Sequence, residues 1–232
     1  MNIQRLTLAC LATAAGVSSS IAQNPTVYHH YGAANPTSEG WTLQTYLGPV
    51  QTGAVSNDMG RNAWMTGVSH SLYGYSPRVT ESLAGLSWTL SVNLRVVTPN
   101  TRLGVFDMSL ATSSRTFGLK FGSDADGNQI VAADSQTPFV LAGGSSYADY
   151  QLVYSAQTGT ANLWANGSLL SSGIMGVPSG QDSFFFWRGG DQGFNSHLAN
   201  WNLVSLEIIP EPSSLSLLWL GSSVLFCLCC RK

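Results

Sequence analysis

Acidic side chains crowd together at one place, the run Ser123-Asp124-Ala125-Asp126-Gly127-Asn128. It opens like a calcium loop, in which oxygen ligands recur at alternate positions, so Asp124, Asp126 and Asn128 are candidate ligands for a structural Ca2+. The run then departs from that pattern: Gly127 comes too early for the sharp-turn glycine, and Ser135 stands where a bidentate Glu belongs. The same residues also spell a hairpin turn, with Asp-Gly supplying the positive φ. Elsewhere the carboxylates are dispersed. Glu39, Glu81 and Glu207 are the glutamates ahead of Glu211, and no Glu-x-Asp-x-x-Glu spacing occurs. Two-carboxylate glycoside chemistry would therefore need a pair assembled across distant strands. His29-His30, His70 and His197 show no local convergence of the three or four ligands that zinc requires, and read as surface or loop groups. There is no Gly-x-Ser-x-Gly elbow, phosphate-binding loop or dinucleotide fingerprint. No catalytic residue is assigned, and no cofactor beyond the calcium candidate.

The aromatic residues offer a second chemistry. Exposed Trp and Tyr rings stack on sugars, with Asn, Asp and Gln holding the hydroxyls. Trp64, Tyr73 and Tyr75, in a glycine-rich stretch, and Trp187, ahead of Asn195, are the candidate ligand platform. The competing place for each ring is the core, because each buries roughly 150–250 Å2.

The elements that would position these groups follow from composition and pattern. Of 232 residues only 9% are charged, against about 25% in an ordinary domain. The net charge of −2 excludes the basic balance of a nucleic-acid binder. With 44% apolar residues the chain is also not disordered by the high-charge route, and it is long enough for one well-buried core.

The two ends read as addresses. Arg5 precedes an uncharged apolar run over 6–17, and Ser20-Ile21-Ala22 places small residues before a cut between Ala22 and Gln23. Residues 1–22 are thus expected to be a secretory signal. Leu8-Ala9-Cys10 resembles a lipobox core, but too few residues precede Cys10 for a full hydrophobic segment, so Cys10 is read as part of the leader. At the other end Pro210-Glu211-Pro212 is followed by an uncharged stretch, 213–230, and then by Arg231 and Lys232. Eighteen residues at 1.5 Å each span about 27 Å, close to the hydrocarbon thickness of a bilayer. The basic pair should stay cytoplasmic as the membrane stop, leaving the globular part outside. Cys10, Cys227, Cys229 and Cys230 all lie in these ends, so the expected mature region has neither disulfides nor thiol ligands.

This ending resembles the PEP-CTERM sorting signal of Gram-negative bacteria, which combines a Pro-Glu-Pro motif, one hydrophobic helix and a short basic tail. The three cysteines depart from the usual Leu, Ala and Arg content. The resemblance implies an exosortase-type processing enzyme and the secretion machinery as partners. It also implies a precursor anchored in the inner membrane, then delivery to the cell surface or extracellular matrix. The plainer alternative is an unprocessed C-terminal anchor.

Between the ends the pattern is β. Residues 23–40 read as a polar arm or a first edge strand. Residues 88–96 alternate strictly, with Trp88, Leu90, Val92, Leu94 and Val96 on one face. Strands are expected at 102–110, 116–121, 128–133 and 150–154, and at 161–165 joined to 168–170 by the hairpin dipeptide Asn166-Gly167. An apolar strand over 184–187 would be buried on both sides or between sheets. A last strand over 201–208 would put Trp201, Leu203, Ser205 and Glu207 on one face. Short strands punctuated by turn signals, with no convincing helix, predict an all-β antiparallel β-sandwich of jelly-roll type over 23–209. The sorting signal, with its one transmembrane helix, would occupy 210–232.

The stretch Asp149-Tyr150-Gln151-Leu152-Val153-Tyr154, followed by Thr158-Gly159-Thr160-Ala161-Asn162-Leu163-Trp164-Ala165-Asn166-Gly167, resembles the late hairpin of laminin-G-like and concanavalin-like domains. Together with the sorting signal and the aromatic content, that resemblance implies a non-enzymatic surface or matrix protein, a carbohydrate-binding or structural module whose expected partner is extracellular polysaccharide. The alternative is a secreted polysaccharide hydrolase or lyase on the same fold.

Overall fold

The alternation at 88–96 organises the whole domain. In the computed structural model the described residues are 24–47, 53–67, 72–77, 83–97, 101, 103, 106–112, 114–134, 136–179, 184–189 and 197–210, with backbone alone at 46, 47, 72, 73, 184, 186, 188 and 189. The strands among them are β1 (Thr26–Tyr31), β2 (Thr42–Leu47), β3 (Ala54–Asp58), β4 (Arg61–Gly67), β5 (Leu72–Ser76), β6 (Ser87–Val96), β7 (Phe106–Ala111) and β8 (Arg115–Ser123). They continue with β9 (Gln129–Ala133), β10 (Phe139–Leu141), β11 (Ala148–Ser155), β12 (Thr160–Ala165), β13 (Ser168–Ile174), β14 (Val177–Pro178), β15 (Phe184–Gly189) and β16 (Leu198–Ile209). A 3-10 turn, Pro36–Glu39, is capped by the Asn35 side chain and by Gly40 at φ 88°.

The strands form two eight-stranded antiparallel sheets. The first runs β13-β12-β11-β6-β16-β4-β3, with β1 also paired to β16; the second runs β10-β9-β8-β7-β15-β5-β2, with β14 on β8. Strand β16 is the spine of the first sheet. One edge pairs with β6 along its length, while the other is shared between β4 at Leu198–Trp201 and β1 at Leu203–Ile208. Residues 23–40 therefore contain a true strand, paired to the far end of the domain. Gly32 sits where β1 leaves β16: a Cβ there would lie 2.5 Å from both the Ala63 Cα and the Trp201 carbonyl oxygen. Only glycine permits that approach of two backbones.

The inward residues of β6 are at most 2% exposed, and the sheets meet through rings. Trp88 packs edge-on against Phe117, while Phe121 is tilted on Tyr150 and Trp201 on Trp187, the last at 4.8 Å. In β16 the alternation expected from sequence breaks. A bulge between Trp201 and Leu203 turns Trp201 inward beside Val204, Leu206 and Ile208, not outward with Leu203. In β15, Phe185 and Trp187 point into the core. The strand expected at 102–110 is observed as Phe106–Ala111. The Asn166-Gly167 hairpin forms as anticipated, with φ of 48° and 77°.

Pro25–Ile209 makes one compact unit. Residues 1–23 and 211–232, and with them the Ala22/Gln23 cut, Glu211, Pro212, the apolar run over 213–230, Arg231 and Lys232, lie outside the described residues. Among the described residues no helix is long and apolar enough to cross a membrane.

Candidate functional site

The inward face of β6 fixes the core, and its other face carries Thr89, Ser91, Asn93 and Arg95. Strand register places these beside the outward residues of neighbouring strands. Tyr31, Leu203, Asn93 and Asp149 form one row across β1, β16, β6 and β11. His29, Ser205, Ser91, Gln151 and Trp164 form the next, reaching β12. At the β3–β4 end, Asp58 and Arg61 flank a two-residue turn in which Met59 and Gly60 both have positive φ.

These side chains are tied together. Arg95 grips Asp58 with two donors, Nε to Oδ2 at 2.8 Å and Nη2 to Oδ1, and its Nη1 donates to the Ser145 carbonyl at 3.3 Å. Burial alone would raise the Asp58 carboxyl, but contacts from Arg95, Asn200 and Tyr147 outweigh it and hold the group below the usual carboxylate range. Asn200 faces outward yet is 4% exposed, because this cluster covers it, and its Oδ1 accepts from the Ser56 hydroxyl at 3.3 Å. The Tyr147 phenol is raised by its burial and by the nearby Asp58 carboxylate, which it approaches without hydrogen-bond geometry. Arg61 lies with its guanidinium carbon 5.2 Å from the centre of the Tyr147 ring and donates to Asn93 Oδ1 at 3.4 Å. Asn93 Nδ2 donates to Asp149 Oδ1 at 2.6 Å. The result is a pre-set array of donors and acceptors contributed by five strands and the residues before β11.

The residues expected from sequence to form a platform are elsewhere. Trp64, Tyr75 and Trp187 are 3%, 0% and 0% exposed. They line the space between the sheets, with Trp187 tilted on Tyr75 at 4.8 Å and Trp64 Nε1 donating to the Tyr75 hydroxyl at 3.3 Å. Rings with no free face cannot stack on a ligand, so the platform reading is corrected to core for these three. The Tyr73 side chain lies outside the described residues.

His30 is also corrected. It is not a surface group but fully buried on β1, stacked on Trp187, with Nδ1 2.5 Å from Glu39 Oε2. Glu39 Oε1 also accepts the Tyr31 backbone N–H at 3.2 Å, which locks β1 to the 3-10 turn. Burial lowers the His30 pKa more than Glu39 raises it.

At the calcium candidate, Asp124 Oδ1 accepts the backbone N–H groups of Asp126 and Asn128 at 3.0 and 2.8 Å, and Oδ2 accepts Asn128 Nδ2 at 2.9 Å. Asn128 Oδ1 accepts the Gly144 N–H at 3.1 Å. These contacts build an Asx-stabilised turn from β8 to β9, with Gly127 at φ 83°. Among the described residues no three His, Cys, Asp or Glu side chains are grouped to hold a metal.

Asp58, Arg61, Asn93, Arg95, Tyr147, Asp149 and Asn200 escaped the reading of the sequence. For Asn93 and Arg95 a signal exists in the polar half of the alternation at 88–96, whose apolar half marks the core; the other five join them only through strand pairing.

No protein-family model and no curated protein matches the sequence. Solved structures do match. The winged bean acidic lectin in complex with methyl-α-D-galactose is 8% identical, with a TM-score of 0.54 over 82% of this chain and 100% of that one. A conserved carbohydrate esterase of the Shiga toxin-encoding bacteriophage phi24B gives 9% identity and a TM-score of 0.54 over 81% and 100%. The basic winged bean lectin with Tn-antigen gives 8% and 0.52 over 81% and 100%. At these identities the likeness is one of fold: the domain is a β-sandwich of the architecture those proteins share.

Proposed function

We propose that the chain is an exported, non-enzymatic surface or matrix module that binds polysaccharide on the outer face of its first sheet. The observation that carries this reading is the array around Asn93, in which side chains from separate strands hold one another in place beside the exposed Arg61, Asp149 and Tyr31. Fixed polar groups next to an exposed ring suit a sugar, whose hydroxyls need aligned donors and acceptors and whose ring faces are apolar. Sharing a fold with two lectins in complex with sugars adds support at the level of architecture. Asp58 is committed to Arg95 and held ionised, which suits a scaffold and not a general acid. The Asp124 run serves as a turn and not as a calcium site.

The Pro210-Glu211-Pro212 tail delivers the domain, with an exosortase-type enzyme as processing partner. β16 ends at Ile209, so removal of the tail leaves the sheet whole. A glycan array probed with the 23–209 fragment tests the binding, and silence across bacterial and plant polysaccharides refutes it. Mass spectrometry of the mature protein tests the delivery, and a C-terminus still ending at Lys232 refutes processing.

A further inference from the structure

We propose that the glycan bound on this face is neutral, without carboxylate, sulfate or phosphate groups, and that it is held by the chain of contacts Arg61–Asn93–Asp149. The inference rests on the glycan-binding reading of the face and narrows it to a ligand class.

The cluster contains two cations, Arg61 and Arg95, and two carboxylates, Asp58 and Asp149. Arg95 and Asp58 satisfy each other and are only 13% and 15% exposed, so neither is presented to a ligand. That leaves Arg61 and Asp149, both exposed, on either side of Asn93. Arg61 is in no ion pair among the described residues, but its position is fixed by the Tyr147 ring beneath it and by Asn93 beside it. Of its five N–H donors one is directed to Asn93. Asp149 accepts from Asn93 through one oxygen and keeps acceptor capacity on the other.

The face therefore offers a donor-rich end and an acceptor-rich end, joined by an amide and within reach of one pyranose. A hydroxyl can accept from Arg61 while another on the same sugar donates to Asp149. A uronate or sulfate drawn to Arg61 meets Asp149 close by, so attraction and repulsion largely cancel and the desolvation of the anion is left uncompensated. The chain's net charge of −2 adds no attraction for a polyanion.

The test is affinity electrophoresis of the full-length chain in detergent through gels carrying a neutral polymer (mixed-linkage β-glucan, galactomannan or xylan) or a uronate polymer (alginate or polygalacturonate). Retardation by at least one neutral polymer is expected, changing less than about twofold between low and high salt, as befits a contact without net charge transfer. Arg61→Ala and Asp149→Ala should each weaken retardation about tenfold, the loss of a hydrogen bond to a charged group. Both side chains are exposed, so thermal midpoints should hold; Arg61→Lys and Asp149→Asn, with the same readouts, keep the test decisive if an alanine variant folds poorly. Salt-sensitive retardation by uronate polymers, with none by neutral ones, overturns the inference and leaves glycan binding standing. Neutral retardation that survives these variants overturns the assignment to Arg61 and Asp149. No retardation by any polymer fails the glycan-binding reading itself, and the inference with it.

Discussion

Replacing Asp58 with Ala strips Arg95 of two charge-assisted hydrogen bonds and leaves its guanidinium with the Ser145 carbonyl. Breaking a fully buried pair by removing one partner costs about 3–5 kcal/mol, and an exposed pair is worth about 0–1 kcal/mol. At 13% and 15% exposure this pair lies near the buried limit. A cost of about 2–4 kcal/mol is therefore expected, or a drop in Tm of roughly 5–15 °C for a domain of this size. The double variant Asp58→Ala/Arg95→Met removes both charges and should recover part of that loss, with a coupling of about 1–3 kcal/mol in a double-mutant cycle. Urea unfolding measured by tryptophan fluorescence reads it, as a shift in midpoint at constant m-value. A single-variant cost below about 0.5 kcal/mol would place the pair in the solvent-exposed class and refute the claim that the array is pre-set.

Four further perturbations test other parts of the structure. Because His30 titrates below its ordinary value of about 6.5, the unfolded chain takes up that proton first, so His30 costs stability as pH falls below about 6.5. Asp134, pushed up to about 6 by burial, acts in the opposite sense: the folded chain binds its proton first, and stability is gained from about pH 6 towards 4. Unfolding midpoints of His30→Gln and Asp134→Asn across pH 4–8 separate the two, and Asp134→Asn should raise the midpoint at pH 7 and remove the gain in stability between pH 6 and 4. Gly32→Ala forces β1 off the Ala63 and Trp201 backbones and should cost about 2–3 kcal/mol, read by urea unfolding. Asp124→Ala should lower the unfolding midpoint equally in EDTA and in calcium, and calcium should not shift the wild-type Tm; a rise on titration would restore the metal reading.

How much of this was legible in the sequence depended on range. The faces of β6, the β12–β13 hairpin and the all-β class came from alternation and turn chemistry, which act over a few residues. The inward turn of Trp201 did not, because it depends on a bulge set by the change of partner from β4 to β1 on β16. Trp64, Tyr75 and Trp187 could not be assigned to core or surface from their neighbours in sequence, since strand pairing decides which face a ring takes. His30 looked exposed because its run is polar; its partners Glu39 and Trp187 come from the next turn and from the other sheet. The polar array was hidden for the same reason, as Arg61 meets Asn93 only across β16.

That dependence on β16 bears on the order in which the molecule is made. Thr26 lies opposite Ile208, so the first of the described strands waits for the last of them. Until β16 inserts, β6, β4 and β1 share no partner, and the sheet exists only as a four-stranded piece, β6-β11-β12-β13, the β3–β4 hairpin and an unpaired β1, all with open edges. Such long-range closure is slow, on the order of milliseconds to seconds, and it holds the nascent chain loose while it is being synthesised. The Arg61–Asn93 contact, which reaches across that strand from β4 to β6, then comes into being only once β16 is in place, whereas Asn93 and Asp149 meet directly between the paired strands β6 and β11.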